Sequence, residues 1–257
     1  MRWLKEMILF IMVSGASMAN EISIKIVYNN VAFNRELETS WGMACVVEGL
    51  EKTILFDTGG NGNILLSNMK ATGIDPSEID VVVLSHIHGD HTGGLESFLN
   101  VNRNVTVYVP SSFPSGLKKS IKEIGSRVIE VSGPAEICSR VYSTGELGTW
   151  IKEQALVLET DKGLIVITGC AHPGLVEIAR TALTLYDKAI YLITGGFHLG
   201  GSSEREIDRI ITELKGLGVQ KVGPGHCTGE LAIQKFKEAW GKNFVDAGCG
   251  AVIKIAD

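Results

Sequence analysis

The stretch His86-Ile87-His88-Gly89-Asp90-His91 decides how this chain is read. His86 and His88 are two positions apart, so on an extended backbone both side chains project to one side and can grip one ion. Asp90 and His91 follow across the Gly89 turn and can face a second ion beside the first. Two such ions, about 3.5–4 Å apart, can share a hydroxide whose pKa they draw toward neutrality. Imidazole suits zinc and iron, and the carboxylate adds a hard oxygen ligand of the kind a catalytic site tolerates. Upstream, residues 79–84 read as a continuous apolar strand that ends directly at Ser85-His86. Downstream, Thr92-Gly93-Gly94-Leu95 starts a helix whose N-terminal dipole favours anionic groups near the site.

The same arrangement recurs along the chain. It has six histidines, and His86, His88, His91, His172, His198 and His226 all lie in or beside glycine-rich turns that follow apolar strands. One such histidine is more often a structural residue than a ligand. Six at strand ends, where distant segments converge, read as a ligand set. Further strands are expected at 22–28, 43–47, 53–56, 105–109, 127–131, 155–159 and 164–168, by length and β-branched content. A helix is expected at 61–70, broken by Gly73-Ile74-Asp75-Pro76. The second half alternates: helix 175–186, strand 189–194, helix 203–217, strand 219–222, helix 229–240, then short C-terminal strands. Hairpin-like strands with interleaved helices in each half imply an α/β domain of two sheets packed face to face with helices outside.

Composition narrows the function. Hydrophobic residues are 45% and charged residues 21% of the chain, which supports a packed core rather than wholesale disorder. A net charge of −5, with Lys118, Lys119 and Lys122 as the densest basic cluster, argues against nucleic acid as partner. The five cysteines are odd in number and lack CxxC spacing, so neither a zinc ribbon nor a disulfide framework is expected. Arg2 and Lys5, the apolar run 7–13 and the small residues Ser17 and Ala19 read as an export signal over residues 1–19. That would leave a domain of residues 20–257 in an exported or periplasmic location. Met18-Ala19-Asn20-Glu21 reads equally as the start of a cytoplasmic protein. The apolar run is too short for stable membrane insertion.

The H-x-H-x-D-H run resembles the signature of the metallo-β-lactamase superfamily. Phe56-Asp57-Thr58-Gly59 resembles that family's early DTG turn. Gly169-Cys170-Ala171-His172-Pro173-Gly174 resembles the segment carrying the third histidine of the first metal. Pro224-Gly225-His226-Cys227-Thr228-Gly229 resembles the one carrying the last histidine, on the second metal. The resemblance runs from about Glu21 to the C-terminus and implies the four-layer αββα sandwich. Within the superfamily, the wording is similar to the branch of 7,8-dihydropterin-6-yl-methyl-4-(β-D-ribofuranosyl)aminobenzene 5′-phosphate synthases. That activity would join a pterin methyl diphosphate to an aryl ribose phosphate and release pyrophosphate.

One departure stands out. The superfamily usually supplies a bridging Asp after the third histidine, on the strand that here ends Thr194-Gly195-Gly196-Phe197-His198, and no Asp occurs there. The resemblance implies that His198 takes a metal-facing role, with acid/base catalysis as its alternative. The expected metal set is therefore His86, His88, Asp90, His91, His172, His198 and His226, with Asp90 and His198 also as catalytic candidates. Asp57 is expected to brace ligands, Cys170 to be a buried thiol with ligation as the alternative, and Cys227 to point away. Trp41, Phe113, Trp150 and Phe197 are candidates either to line an aromatic pocket or to pack in the core.

The leading expectation is an enzyme holding one or two zinc ions, with iron or manganese as alternatives. It would hydrolyse a phosphate, ester or similar bond of an anionic or aromatic small molecule by a metal-bound hydroxide. The pterin transferase is the second expectation, and a metal-stabilised ligand-binding protein without turnover is the third. A structural site would close its coordination sphere, and the intact ligand set argues for turnover. Nothing in the sequence sets the oligomeric state.

Overall fold

The computed structural model describes residues 21–256. The export signal read over residues 1–19 lies outside the described residues. The first half supplies β1 (Ile22–Asn29), β2 (Met43–Glu48), β3 (Ile54–Phe56), β4 (Val81–Val83), β5 (Thr106–Pro110) and β6 (Arg127–Val131). The second supplies β7 (Ala135–Cys138), β8 (Val141–Ser143), β9 (Leu156–Thr160), β10 (Gly163–Thr168), β11 (Ile190–Gly196) and β12 (Lys221–Gly225). β13 (Val252–Ile255) returns to pair with β1, giving sheet orders β13-β1-β2-β3-β4-β5-β6 and β12-β11-β10-β9-β8-β7.

Alternation along the strands builds the layers. Cys45, Val47, Ile54, Phe56, Val81 and Val83 face Leu156, Leu158, Ile165 and Ile167 of the other sheet, forming the inter-sheet core. The residues between them, Val46, Leu55 and Val82, turn to the opposite face. There they meet α1 (Gly62–Ala71), α3 (Leu95–Val101) and α4 (Ser115–Ile124) through Leu65, Phe98 and Ile121. On the far side of the second sheet, Val157, Val166, Ile193 and Val222 meet α5 (Leu175–Tyr186), α6 (Glu204–Gly216) and α7 (Glu230–Trp240). The central strands of both sheets are therefore buried on both faces, which is why they read as unbroken apolar runs, while β6, β7 and β13 are partly exposed. The result is the expected αββα arrangement of two sheets between helices.

Several elements differ from their sequence readings. The strand read at 79–84 is shorter, because Asp75-Pro76 opens a single turn through Glu78 and only Val81–Val83 joins the sheet. The last parallel strand lies two residues later than 219–222, running through Gly223-Pro224-Gly225. Glycine is needed there: a Cβ on Gly223 would lie 2.6 Å from Thr194 Oγ1. The helix read from Thr92 onward is preceded by a short one, α2 (Gly89–Thr92), which begins inside the histidine run and carries Asp90 and His91; α3 follows. α4 and the β7–β8 hairpin had no counterpart in the sequence reading. Among the described residues, no helix is long and apolar enough to cross a membrane.

Parallel pairing sets up the site. β3 pairs parallel with β4, and β10, β11 and β12 are mutually parallel, so their C-terminal ends come out together within each sheet. Asp57 follows β3 and His86 follows β4 closely, while Cys170 and His172 follow β10, His198 follows β11 and His226 follows β12.

Candidate metal centre

Three groups of side chains converge at these strand ends. His86, His88 and His172 form the first, and Asp90, His91, Cys170 and His226 the second. Cys170, His198 and Cys227 form a third. Six of the seven expected metal residues thus fall into the first two groups, which touch: the His86 and His91 rings are 4.2 Å apart. His198 stands outside both. Its ring lies 4.5 Å from that of His172, its side chain is largely exposed, and its backbone N–H donates to Cys227 Sγ at 3.3 Å.

The outer nitrogens of the histidines are held by partners that leave the inner ones free. Asp57 is fully buried and accepts from Ser85 N (2.7 Å), Ser85 Oγ (2.6 Å) and His91 Nδ1 (2.7 Å). Because the Ser85 hydroxyl donates to Asp57, it accepts from His86 Nδ1 at 2.8 Å. Asn30 Nδ2 donates to the His226 carbonyl, which turns its Oδ1 toward His226 Nδ1 at 2.8 Å. Nδ1 of His172 donates to Glu153 Oε2 at 2.9 Å. With Nδ1 the donor in all four rings, Nε2 carries a lone pair directed into the site, the arrangement that fixes tautomers for metal binding.

Those lone pairs face one another. His91 Nε2 and His226 Nε2 are 3.1 Å apart, and Asp90 Oδ2 lies 3.2 Å from the latter. In the first group, His86 Nε2 is 3.2 Å from His88 Nδ1. Burial lowers the His86 imidazole to about 3 and the His91 imidazole to about 4, so neither brings a proton at neutral pH. Although burial opposes ionisation, the adjoining His226 and His91 side chains hold the Asp90 carboxyl well below the usual carboxylate range. Acceptors packed against acceptors repel unless a cation lies between them, so the donor set fits divalent metal. The first group offers three imidazoles and leaves a position open, as in catalytic rather than structural sites.

Glu153 is the residue sequence reasoning missed. It is buried, and its Oε1 accepts from the backbone N–H groups of Gly169 (3.1 Å), Cys170 (2.9 Å) and Ala171 (2.8 Å). Its Oε2 accepts from His172 N at 3.0 Å as well as from the His172 ring. Burial opposes ionisation, but the hydrogen bonds from His172 and Ala171 and the nearby His86 charge hold the carboxyl down at about 2. Successive N–H groups can wrap one carboxylate because Ala171 takes a left-handed φ of 60°. Asp57, His198 and His226 share that conformation at φ 56°, 52° and 48°, so among the described residues four of the six non-glycine residues with positive φ lie at this site.

The aromatic candidates separate into two kinds. Phe113 and Phe197 are buried in the two helix-facing cores. Trp41 is 59% exposed with its ring 4.9 Å from that of His226, beside a cleft of about 650 Å³. Trp150 is 92% exposed and borders a second cleft of about 320 Å³ with His172 and His198. One tryptophan thus stands on each side of the histidines.

Comparison with known proteins agrees with this geometry. The chain is 29% identical to the 7,8-dihydropterin-6-methyl-4-(beta-D-ribofuranosyl)-aminobenzene-5'-phosphate synthase of Methanocaldococcus jannaschii, over 87% of this chain and 92% of that protein. A crystal structure of a metal-dependent hydrolase of the beta-lactamase superfamily superposes with a TM-score of 0.77 at 26% identity, covering 92% of this chain and 100% of that one. A metallo-beta-lactamase fold protein from Bacillus subtilis shares the fold at 13% identity, with a TM-score of 0.67 over 91% of this chain and 100% of its own. The family profile described as the metallo-beta-lactamase superfamily matches residues 42–177, which span the histidine run, Glu153 and His172. With more than half of its length in that match and the fold and histidine groups in place, the chain belongs to the metallo-beta-lactamase superfamily.

Proposed function

We propose that the chain is a metal-dependent hydrolase that opens a phosphate, ester or similar bond in a small anionic or aromatic molecule. The observation that carries this reading is the pair of adjacent donor groups whose lone pairs face inward while clefts open beside His226 and His172. His86, His88 and His172 would hold the first cation, and Asp90, His91 and His226 the second. Zinc suits the imidazole-rich set best, with iron or manganese as alternatives. Divalent ions there would supply Lewis acidity and bring a water toward its deprotonated form near neutral pH.

The protein's own groups do the rest. Asp57, Ser85, Asn30 and Glu153 hold the rings so that no reorganisation is needed when substrate arrives. Trp41 and Trp150 offer planar apolar faces on either side for a ring-bearing substrate. His198, at the rim beside His172 and outside the two principal donor groups, would donate a proton to a departing oxygen. His198→Ala is expected to lower kcat by about 100-fold or more while both metals remain bound. Loss of one metal equivalent in that variant, read by elemental analysis, would return His198 to the ligand set.

A second reading follows from the end-to-end similarity to the archaeal synthase: transfer of a dihydropterin methyl group from its diphosphate to an aryl ribose 5′-phosphate, with release of pyrophosphate. The two flanking tryptophans favour it too, since its two substrates each carry a ring. One set of assays separates the readings. Metal-loaded protein is tested against aryl phosphates, phosphodiesters, lactones and sulfate esters, with and without zinc, manganese or iron. Metal-dependent turnover of any of them supports the hydrolase. Pyrophosphate release that needs both transferase substrates, with no turnover in the ester panel, replaces it. Bound metal with neither activity would leave a ligand-binding protein.

A further inference from the structure

We infer that Cys170 is a thiolate ligand of the second metal, at a centre where the sequence has no aspartate at the end of β11. This rests on the metal-centre reading above and adds a donor to it.

The strand expected to carry that aspartate has no room for a side chain. β11 pairs with β10 so that Thr168 lies opposite Gly195, and Gly196 N donates to Gly169 O at 3.1 Å. A Cβ on Gly195, whose φ is +121°, would lie 2.1 Å from Thr168 O. A Cβ on Gly196 would lie 2.3 Å from Gly169 O and 2.8 Å from Cys227 Sγ. The end of β11 therefore supplies backbone alone, packed against the chain just after β10. Cys170 is the residue at that junction whose side chain reaches the second group.

Its sulfur is in place for the role. Cys170 Sγ lies 3.2 Å from His91 Nε2, and its ligand atom, with those of Asp90, His91 and His226, lies within 4.8 Å of each of the others. His91 is fully buried, and its Nε2 lone pair points into the same space. His198, the sequence's candidate for this vacancy, shares a group with Cys170 and Cys227 but not with the Asp90, His91 and His226 set. Glu153 takes the Cys170 backbone N–H at 2.9 Å, so the carboxylate that orients His172 also fixes the approach of the thiol. As the metal binds, the S–H bond breaks, a sulfur–metal bond forms and the proton leaves to solvent, so no redox partner is required. A soft donor in this position biases the second site toward zinc over manganese or magnesium.

The test uses the full chain, stripped with a chelator and titrated with Co²⁺, read by bound-cobalt analysis and near-ultraviolet absorption. Thiolate ligation gives an intense sulfur-to-cobalt charge-transfer band. The band is expected in the unaltered protein and in Cys227→Ser, and is expected to be absent from Cys170→Ser and Cys170→Asp. Cys170→Asp should still take two equivalents, whereas the second equivalent should bind at least about 10-fold more weakly to Cys170→Ser. Two bound equivalents without the band in the unaltered protein would overturn the assignment and leave the metal centre standing. So would a band that survives Cys170→Ser or disappears with Cys227→Ser. A chain that binds no cobalt would instead remove the metal-centre reading itself, and this inference with it.

Discussion

Replacing His88 with alanine is expected to lower turnover at least about 100-fold and to deplete bound metal, with the fold unchanged. His88 is exposed, and its Nδ1 contacts only His86 Nε2 at 3.2 Å, so nothing in the core depends on it. Surface changes of this kind shift stability by no more than about 0.5 kcal/mol. His86→Ala should have the same effect on metal and activity with a different effect on the fold. Its ring is fully buried and donates to Ser85 Oγ, which in turn donates to Asp57, so truncation opens a gap and leaves the serine oxygen short of a partner. A loss of about 1–3 kcal/mol is expected. Elemental analysis beside thermal denaturation resolves the two contributions. Metal content unchanged in both variants would sink the ligand assignment.

That difference between the two histidines was not legible in the sequence, although their partnership was. The His86-x-His88-x-Asp90-His91 spacing works locally: one strand end and one turn bring the side chains together, so the pattern is visible in consecutive residues. The same holds for the layers. Val81, Val82 and Val83 alternate between two cores, and a strand buried on both faces is written as a continuous apolar run. His172 and His226 were legible because glycine turns after apolar strands mark the ends of parallel strands, where this fold gathers its chemistry.

What was not legible depends on distance along the chain. Asn30 meets His226 across 196 positions, and its selection of one tautomer leaves no trace in the residues around it. Cys170 reads as an ordinary small buried residue until the packing of Gly195 and Gly196 shows that no neighbour can occupy its place. The helix α4 carries an apolar stripe of Leu117, Ile121 and Ile124 at helical spacing, a signal present in the sequence, whereas the β7–β8 hairpin is mostly half-exposed and carries no strong apolar period. The pair Gly195-Gly196 closes β11. Both are required for its close packing against the chain at Thr168 and Gly169.

Glu153 is where that long-range logic has its largest consequence. Glu153→Ala is expected to prevent stable folding, because it strands four consecutive backbone N–H groups, from Gly169 to His172, all of which donate to this one carboxylate. Each buried, unpartnered group costs about 1–3 kcal/mol, against a total stability of roughly 5–15 kcal/mol for a domain. Glu153→Gln is the informative companion. Its amide oxygen can keep the three bonds made by Oε1, so the chain should fold with a lowered Tm. Its NH₂ group, however, must take the place of Oε2, which now accepts from His172 N at 3.0 Å and His172 Nδ1 at 2.9 Å. Facing a donor, the His172 ring can satisfy it only by presenting Nδ1 as the acceptor, which moves its proton to Nε2 and removes the lone pair aimed at the first metal. The first metal should therefore bind about 10- to 100-fold more weakly in Glu153→Gln, with the second much less affected. Chelator competition on the folded variant measures this. A first-site affinity equal to that of the unaltered protein would mean that Glu153 only closes the turn and does not set the state of His172.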